Sequence, residues 1–221
     1  MSSSIVKRGL FVLFEGIDRT GKTTQSLKLV EALREAGHRV KHLRFPDRTT
    51  QTGKLCDEYL REATTLSDEC VHLLFSANRW EQAAEMRRLL NTGTSLVVDR
   101  YAYSGVAFSA AKGNLSLAWC KSPDAGLPAP DLVLFLSLTI EQAKLRGEYG
   151  AERYEKEAFQ RKVRKIYDAL AEEAHKDDAI CWKEIDANTS VDQLHETILK
   201  LVKEKVKEIQ SKPTKVHTLW Q

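Results

Sequence analysis

The sequence has no strong excess of charge of either sign. Its 34 basic and 31 acidic side chains give a formal net charge of +3 at pH 7. A domain dedicated to nucleic acid usually carries a marked basic excess, so we expect no nucleic-acid partner. Any site for an anion must come from the local arrangement of a few basic groups.

Cysteine is scarce and widely spaced. The four residues Cys56, Cys70, Cys120 and Cys181 form no C-x-x-C pair. This spacing argues against a disulfide framework or a zinc site and fits a reducing compartment. The six histidines are scattered as well, so we expect no metal held by imidazoles.

Long apolar runs are also absent. No stretch approaches the roughly 20 apolar residues of a membrane-spanning helix, and the short polar segment before the first apolar run has no signal-peptide pattern. We therefore expect no membrane partner and a cytoplasmic location, with the nucleus and the mitochondrion as alternatives.

Apolar strand-like runs alternate with helical patterns along the 221 residues. This alternation predicts a doubly wound α/β fold of three layers, with a central five-stranded parallel sheet flanked by helices. No repeat or linker divides the chain, so we expect a single domain over residues 1–221. The predicted strands are 10–14, 39–45, 96–98, 132–138 and 180–185, and the predicted helices are 23–36, 67 to about 90, and one from Ser190.

A phosphate-binding motif follows the first predicted strand. Residues 16–23 match G-x-x-x-x-G-K-[ST]. Backbone N–H groups of such a loop and of the next helix surround phosphate oxygens, Lys22 can reach the β- and γ-phosphates, and the Thr23 hydroxyl can bind Mg²⁺. The alternative is a glycine turn with an incidental lysine, which the strand–loop–helix context disfavours. We expect a P-loop NTPase fold that binds a nucleoside triphosphate through Gly16, Ile17, Asp18, Arg19, Thr20, Gly21, Lys22, Thr23 and Thr24.

Two residues inside this loop are unusual for a phosphate site. A carboxylate repels triphosphate, so we expect Asp18 to face a hydroxyl or a water instead. Arg19 is a candidate for an arginine that stabilises the transferring phosphoryl group in cis. The alternative is that both side chains point into solvent.

Polar segments follow four predicted strands, at the edge of the sheet where ligands bind in open parallel sheets. They are the loop itself and residues 45–48, 99–101 and 186–188. Arg48 and Arg100 should converge there, and guanidinium groups suit a second phosphate. The alternative is that Asp99 and Arg100 pair with each other or cap a helix.

Phe75 and Arg79 are four residues apart on the predicted second helix and share a face. Such a pair can stack on a base and hydrogen-bond its edge. Taken alone, the pair fits better with a core phenylalanine beside an exposed arginine.

Residues 144–154 follow the fourth strand and mix basic side chains with two glycines. This composition suits a lid over phosphates, and an ordinary helix-to-helix turn has the same composition.

Longer strings resemble thymidylate kinases of the eukaryotic type. They are FEGIDRTGKTTQ at 14–25, RFPDR at 44–48, HLLFSANRWEQ at 72–82, VVDRYAYSGVAFSAAKG at 97–113, GLPAPDLVLFL at 126–136 and ERYE at 152–155. The resemblance runs from about residue 9 to 200. It implies transfer of the γ-phosphoryl group of ATP to dTMP for dTTP synthesis, with Mg²⁺ as cofactor and a homodimeric enzyme.

The resemblance also implies residue roles. The catalytic groups are Arg19, Lys22 and Arg100, Mg²⁺ is held near Thr23 and Asp99, and Arg146 of the lid and Asn188 complete the ATP site. Phe75 stacks on thymine with Arg79 on its O4, which reverses the interpretation from the pair alone. The implied dTMP site comprises Asp18, Phe45, Arg48, Phe75, Arg79, Arg100, Gly105, Phe108, Tyr154 and Gln160.

Three other functions are weighed against this one. Another nucleotide or deoxynucleoside kinase would differ in the base pocket. A GTPase switch would need an N-K-x-D motif, which the sequence lacks. A non-catalytic nucleotide-binding module is disfavoured by the intact Arg19, Lys22 and Thr23.

Overall fold

A computed structural model describes residues 8–144, 153, 154, 156–177, 180–211 and 215–221. Strands and helices alternate through these residues, as the apolar pattern predicts. The strands are β1 (Phe11–Glu15), β2 (Val40–Arg44), β3 (Ser95–Asp99), β4 (Leu132–Ser137) and β5 (Cys181–Asp186). The helices are α1 (Lys22–Glu35), α2 (Gln51–Leu60), α3 (Asp68–Asn91), α4 (Ala102–Ala110), α5 (Leu117–Lys121), α6 (Ile140–Lys144), α7 (Glu157–Ala174) and α8 (Val191–Ser211), with a short 3-10 turn at Ser122–Asp124.

The five strands form one parallel sheet in the order β2-β3-β1-β4-β5. Val12 of β1 pairs with Val97 of β3 on one side and with Leu132 of β4 on the other. The predicted five-stranded parallel sheet is therefore confirmed. The strand ends differ from the prediction by at most one residue. β1 continues to Glu15, which pairs with Phe135 of β4.

Alternate side chains of the central strands enter different cores, since successive residues of a strand point to opposite faces. Phe11 and Leu13 belong to the core on one face, together with residues of α3, α4 and α7. Val12 and Phe14 belong to the core on the other face, with residues of α1 and α8. Helices thus cover both faces of the sheet, which confirms the predicted three layers.

Local signals account for the start of α3. The Ser67 hydroxyl accepts a hydrogen bond from the Cys70 amide at 3.2 Å, and Asp68 and Glu69 complement the helix dipole in the first turn of α3. None of the helices in the described ranges is both long and apolar enough to span a bilayer.

The end of the chain returns to the body of the protein. Residues 216–221, here called the C-terminal strap, run antiparallel to residues 126–129 through a bridge between Pro128 and Thr218. The Gly126 amide donates to the Leu219 carbonyl and the Leu219 amide to the Leu127 carbonyl, both at 2.9 Å. Leu219 is fully buried in the core beside α3 and α4.

Candidate active site

A cavity of about 760 Å³ opens at the carboxyl edge of the sheet. Three of the four predicted strand-end segments meet here, as expected for a parallel sheet: the glycine-rich loop and residues 45–48 and 99–101. The fourth, residues 186–188, does not line the cavity. Most of the predicted site residues line it: Asp18, Arg19, Gly21, Lys22, Thr23, Thr24, Phe45, Arg48, Phe75, Arg79, Asp99, Arg100, Gly105, Phe108 and Tyr154.

The glycine-rich loop connects β1 to α1 with left-handed backbone at Gly16, Arg19 and Gly21. A Cβ on Gly16 would lie 2.4 Å from the Leu136 carbonyl oxygen, so a larger residue does not fit. Gly21 is the N-cap of α1 and has no side chain to satisfy the first-turn amides. These amides remain available for an anion at the positive end of the helix dipole.

Lys22 is buried within this loop. Its Nζ donates to the Ile17 carbonyl at 2.6 Å and to Thr20 Oγ1 at 3.3 Å. Burial, and then the Arg100 charge, lower the pKa of Lys22 to about 7. Ile17 and Thr20 thus hold Lys22 in place by accepting its hydrogen bonds inside the loop.

Asp18 turns toward basic and amide groups. Its carboxylate accepts hydrogen bonds from Arg100 Nη2 and, at 2.8 Å, from Gln160 Nε2. Gln160 also donates to the Tyr154 carbonyl at 2.8 Å, so it joins the loop to the segment before α7. Asp18 is not a solvent-facing side chain, and the repulsion that it would exert on a phosphate is compensated by Arg100.

Arg100 follows β3 with a left-handed backbone, φ 66°. Its Nη1 donates to Ser104 Oγ at 3.2 Å and to the Gly16 carbonyl at 3.3 Å, and its guanidinium carbon lies 5.4 Å from the Phe108 ring centre. The alternative of a pair between Asp99 and Arg100 is wrong, since Arg100 bonds Asp18.

A buried carboxylate that sequence reasoning missed supports this turn. Glu15 accepts hydrogen bonds from the Tyr101 amide (3.0 Å), from the Ser104 amide (3.1 Å) and hydroxyl (2.6 Å), and from the Tyr167 hydroxyl (2.8 Å). Burial, and then the Glu15 charge, raise the pKa of Tyr167 well above its usual value. The hydrogen bonds from Tyr101 and Ser104 to Glu15 fix the start of α4 beside Arg100. An acidic residue at the end of an apolar strand is the sequence signal that could have indicated this buried carboxylate.

Thr23 and Asp99 lie together at the mouth of the loop. The Thr23 hydroxyl donates to Asp99 Oδ2 at 2.5 Å, and Arg44 Nε lies 3.6 Å from the same oxygen. Hydroxyl and carboxylate oxygens are hard ligands suited to Mg²⁺, which usually keeps waters and binds substrate phosphates. No group of three or more His, Cys, Asp or Glu side chains placed to hold a metal ion is found in the described part of the chain. The residues present therefore fit a Mg²⁺ ion that takes further ligands from a phosphate and water.

The other end of the cavity is aromatic. Phe75 is partly exposed there, and Phe108 lies 5.4 Å from Tyr154 between ring centres. Phe45 is buried against Tyr101, and Arg48, also on the cavity wall, bonds Asp57 of α2 at 2.6 Å. This end offers flat apolar surfaces close to a guanidinium.

The interpretation of the pair alone, an exposed arginine beside Phe75, is wrong, because Arg79 is buried. Its side chain is 2 % exposed and pairs with Asp124, which is fully buried. A Cβ on Gly105 would lie 2.7 Å from Arg79 Nη2, so glycine there leaves room for the guanidinium. Sequence reasoning did not find Asp124, which is 45 residues away.

Four described residues of the predicted ATP site do not line the cavity: Gly16, Ile17, Thr20 and Asn188. Gln160 of the predicted dTMP site does not line it either. Arg146 lies outside the described residues, as does most of the lid segment 144–154. Asn188 is exposed, and the adjacent Thr189, Ser190 and Val191 line the cavity with Leu194, which the sequence analysis did not single out.

A glycine-rich loop with a buried lysine and converging basic groups at this edge defines a nucleotide-dependent phosphotransferase. The sequence matches the thymidylate kinase family model over residues 14–198. It is 51% identical over 207 residues to the thymidylate kinase of Homo sapiens, covering 94% of this chain and 96% of that one. It is 48% identical over 214 residues to that of Danio rerio, covering 97% and 98%.

A solved structure agrees with these relatives. The thymidylate kinase from Candida albicans has a TM-score of 0.83 and 36% identity, covering 96% of this chain and 98% of that one. The chain therefore belongs to the thymidylate kinase family, whose members are nucleoside monophosphate kinases.

Proposed function

We propose that this protein transfers the γ-phosphoryl group of ATP to dTMP, giving dTDP and ADP for dTTP synthesis. The observation that carries the proposal is a single cavity that joins the phosphate loop, two arginines and the aromatic end with Arg79. The names of the relatives in human and zebrafish support dTMP as the acceptor.

ATP binds through the loop amides and Lys22, with its adenine toward residues 188–194, where Thr189 and Ser190 line the cavity. The lysine and the N-terminus of α1 favour the β- and γ-phosphates. Arg146, Asn188 and a lid over residues 144–154 of a single domain remain part of the proposal.

dTMP occupies the opposite end, with its phosphate between Arg48 and Arg100. Asp18 approaches the sugar 3′-hydroxyl, and Gln160 keeps that carboxylate in place. Phe75 stacks on thymine and Arg79 donates to its O4. Phe45, Gly105, Phe108 and Tyr154 shape the pocket around the base and the deoxyribose.

The chemistry needs no general base, because the attacking phosphate oxygen is already ionised at neutral pH. Rate enhancement comes from in-line positioning and from neutralising charge on the transferred group by Arg19, Lys22 and Arg100. Mg²⁺ held near Thr23 and Asp99 supplies further neutralisation of phosphate charge when it is bound.

A homodimer and a cytoplasmic location complete the proposal. Leu55 on α2 and Leu73 and Trp80 on α3 expose large apolar side chains on two helices that pack together, and such surface suits a second subunit. All four cysteines are free thiols, which supports a reducing compartment, with the nucleus and mitochondrion as alternatives to the cytoplasm.

The test is ADP release from Mg·ATP with dTMP, dUMP, AMP, CMP, GMP or thymidine as acceptor. We expect strong turnover with dTMP, less with dUMP and little with the others. A Lys22→Ala variant, purified identically, should lose the turnover and so assign it to this site. Preference for another acceptor would refute the thymidylate assignment, and no turnover with any acceptor would refute the kinase.

A further inference from the structure

The Arg79 guanidinium is held by one buried carboxylate. Nε donates to Asp124 Oδ1 at 3.1 Å, and Nη2 donates to Oδ2 at 2.5 Å. Both residues are almost completely inaccessible, at 2 % and 0 % side-chain exposure. A paired, two-contact grip of this kind fixes the plane of the guanidinium as well as its position.

Asp124 is itself fixed from the same helix that carries Arg79. The Ser76 hydroxyl donates to Asp124 Oδ1 at 2.7 Å and to the Pro123 carbonyl at 3.1 Å. The Trp80 indole donates to the Pro123 carbonyl at 2.7 Å. The 3-10 turn that carries Asp124 is therefore anchored along one face of α3.

One nitrogen of the guanidinium is left over. Within the described residues Nη1 makes no hydrogen bond, whereas Nε and Nη2 are engaged by Asp124. Arg79 lines the cavity with Phe75, one helical turn away. Nη1 is therefore the guanidinium nitrogen with neither N–H engaged, and Asp124 decides where its donors lie.

We infer that Asp124 is a positioning residue that aims Arg79 at the base and so selects bases with a carbonyl oxygen at position 4. This inference rests on the proposed function. Thymine and uracil present an acceptor at this position, whereas cytosine presents an amino donor. A fixed guanidinium meets the cytosine amino group donor to donor, which leaves both groups unpaired in a buried site.

The test compares Asp124→Asn with the wild type in steady-state kinetics. We expect the KM for dTMP to rise about tenfold or more, because a charge-assisted contact is lost, with the KM for ATP within about twofold. The ratio of kcat/KM for dTMP to that for dCMP should fall, since the guanidinium is no longer fixed.

Asp131→Asn is a matched control at the opposite edge of the sheet. Asp131 is also buried, pairs with Arg8 at 2.6 Å and accepts the Phe11 amide at 2.8 Å. Both substitutions remove the negative charge that pairs with a buried arginine side chain and should lower the melting temperature. Only Asp124→Asn should change the KM for dTMP and the preference over dCMP.

The double variant Arg79→Ala, Asp124→Asn separates positioning from a general structural role. If Asp124 acts through Arg79, the double variant has the same KM for dTMP as Arg79→Ala alone. A further rise in the double variant, an equal rise in the KM for ATP, or an unchanged KM for dTMP in Asp124→Asn would overturn the inference.

Ser76→Ala is the milder variant that decides the question if Asp124→Asn does not fold. It should raise the KM for dTMP about two- to fivefold without affecting ATP, because it loosens only one support of Asp124. No change would count against the inference. A wild type that prefers an acceptor other than dTMP would instead refute the proposed function, so the two failures are distinguishable.

Discussion

Arg19 occupies a backbone conformation that favours glycine. Its φ of 65° lies in the left-handed region, within a loop that uses glycine at two other left-handed positions. A side chain there costs conformational free energy of order 1 kcal/mol or more. An arginine at this position, on the wall of the cavity, therefore points to a use for its guanidinium.

We expect Arg19→Ala to lower kcat by about 10³-fold or more while changing the KM for dTMP and ATP little, because an arginine of this type acts on charge in the transition state. Arg19→Gly is the control for the backbone, since it removes the same side chain and relieves the strain at φ 65°. Both variants should lose kcat equally. A variant that loses only KM would refute the role in the transition state.

Whether a site residue could be predicted depended on how far along the chain its partners lie. The loop around Lys22 could be predicted because eight consecutive residues contain its whole chemistry. The pairs that orient the site could not, because Arg79 and Asp124 are 45 residues apart and Glu15 and Tyr167 are 152 apart. No local pattern specifies such a pair, and only the fold brings its members together.

At the scale of elements, strands were easier to predict than the helix of the site. β1, β3 and β4 are nearly continuous apolar runs because both faces of the sheet are covered. Helix α3 instead buries four polar side chains, so apolar periodicity alone understates its buried face. These are His72, Ser76, Asn78 and Arg79.

His72 ties α3 to two neighbouring helices. Its Nε2 lies 2.8 Å from the Cys120 carbonyl of α5, and its Nδ1 lies 2.7 Å from the Ser109 hydroxyl of α4. The carbonyl can only accept, so Nε2 carries the proton of the neutral ring. Burial lowers the pKa of His72 from 6.5, with Arg79 and Lys112 acting in the same direction and Asp124 and the Cys120 carbonyl opposing them.

This lowered pKa predicts a loss of stability in mild acid. Below pH 6.5 the unfolded chain binds a proton at His72 that the folded protein does not yet bind, so the free energy of unfolding falls as pH falls. The fall is at most about 1.4 kcal/mol per pH unit for one group. Denaturant unfolding from pH 7 to pH 5 should show a steeper fall for the wild type than for His72→Gln.

His175→Gln, at an exposed position, is the control and should keep the wild-type pH dependence of unfolding. Equal pH dependence in wild type and His72→Gln would contradict the prediction, because it would mean that His72 binds its proton equally well in the folded and the unfolded protein.

At the scale of the whole molecule, parallel strands could be predicted from their alternation with helices, but their order could not. β1 lies between β3 and β4, far apart in sequence, and this order depends on long-range packing. The order places the glycine-rich loop at the centre of the edge, with the segments after β3 and β2 to one side. The position of residues 216–221 was equally unpredictable, since the strap binds residues 126–129 mainly through backbone hydrogen bonds.

The C-terminal strap supports the loop that carries Asp124. The Leu127 amide donates to the Asp124 carbonyl at 3.1 Å, and Leu127 in turn accepts from the Leu219 amide at 2.9 Å.

We expect Leu219→Ala to lower the melting temperature by roughly 5 °C or more, because it leaves a cavity in the core. It should also raise the KM for dTMP severalfold through Asp124 and Arg79. Lys215→Ala, exposed just before the strap, should change neither quantity in thermal unfolding and steady-state assays. A lower melting temperature with an unchanged KM for dTMP would show that the strap stabilises the fold without orienting the base pocket.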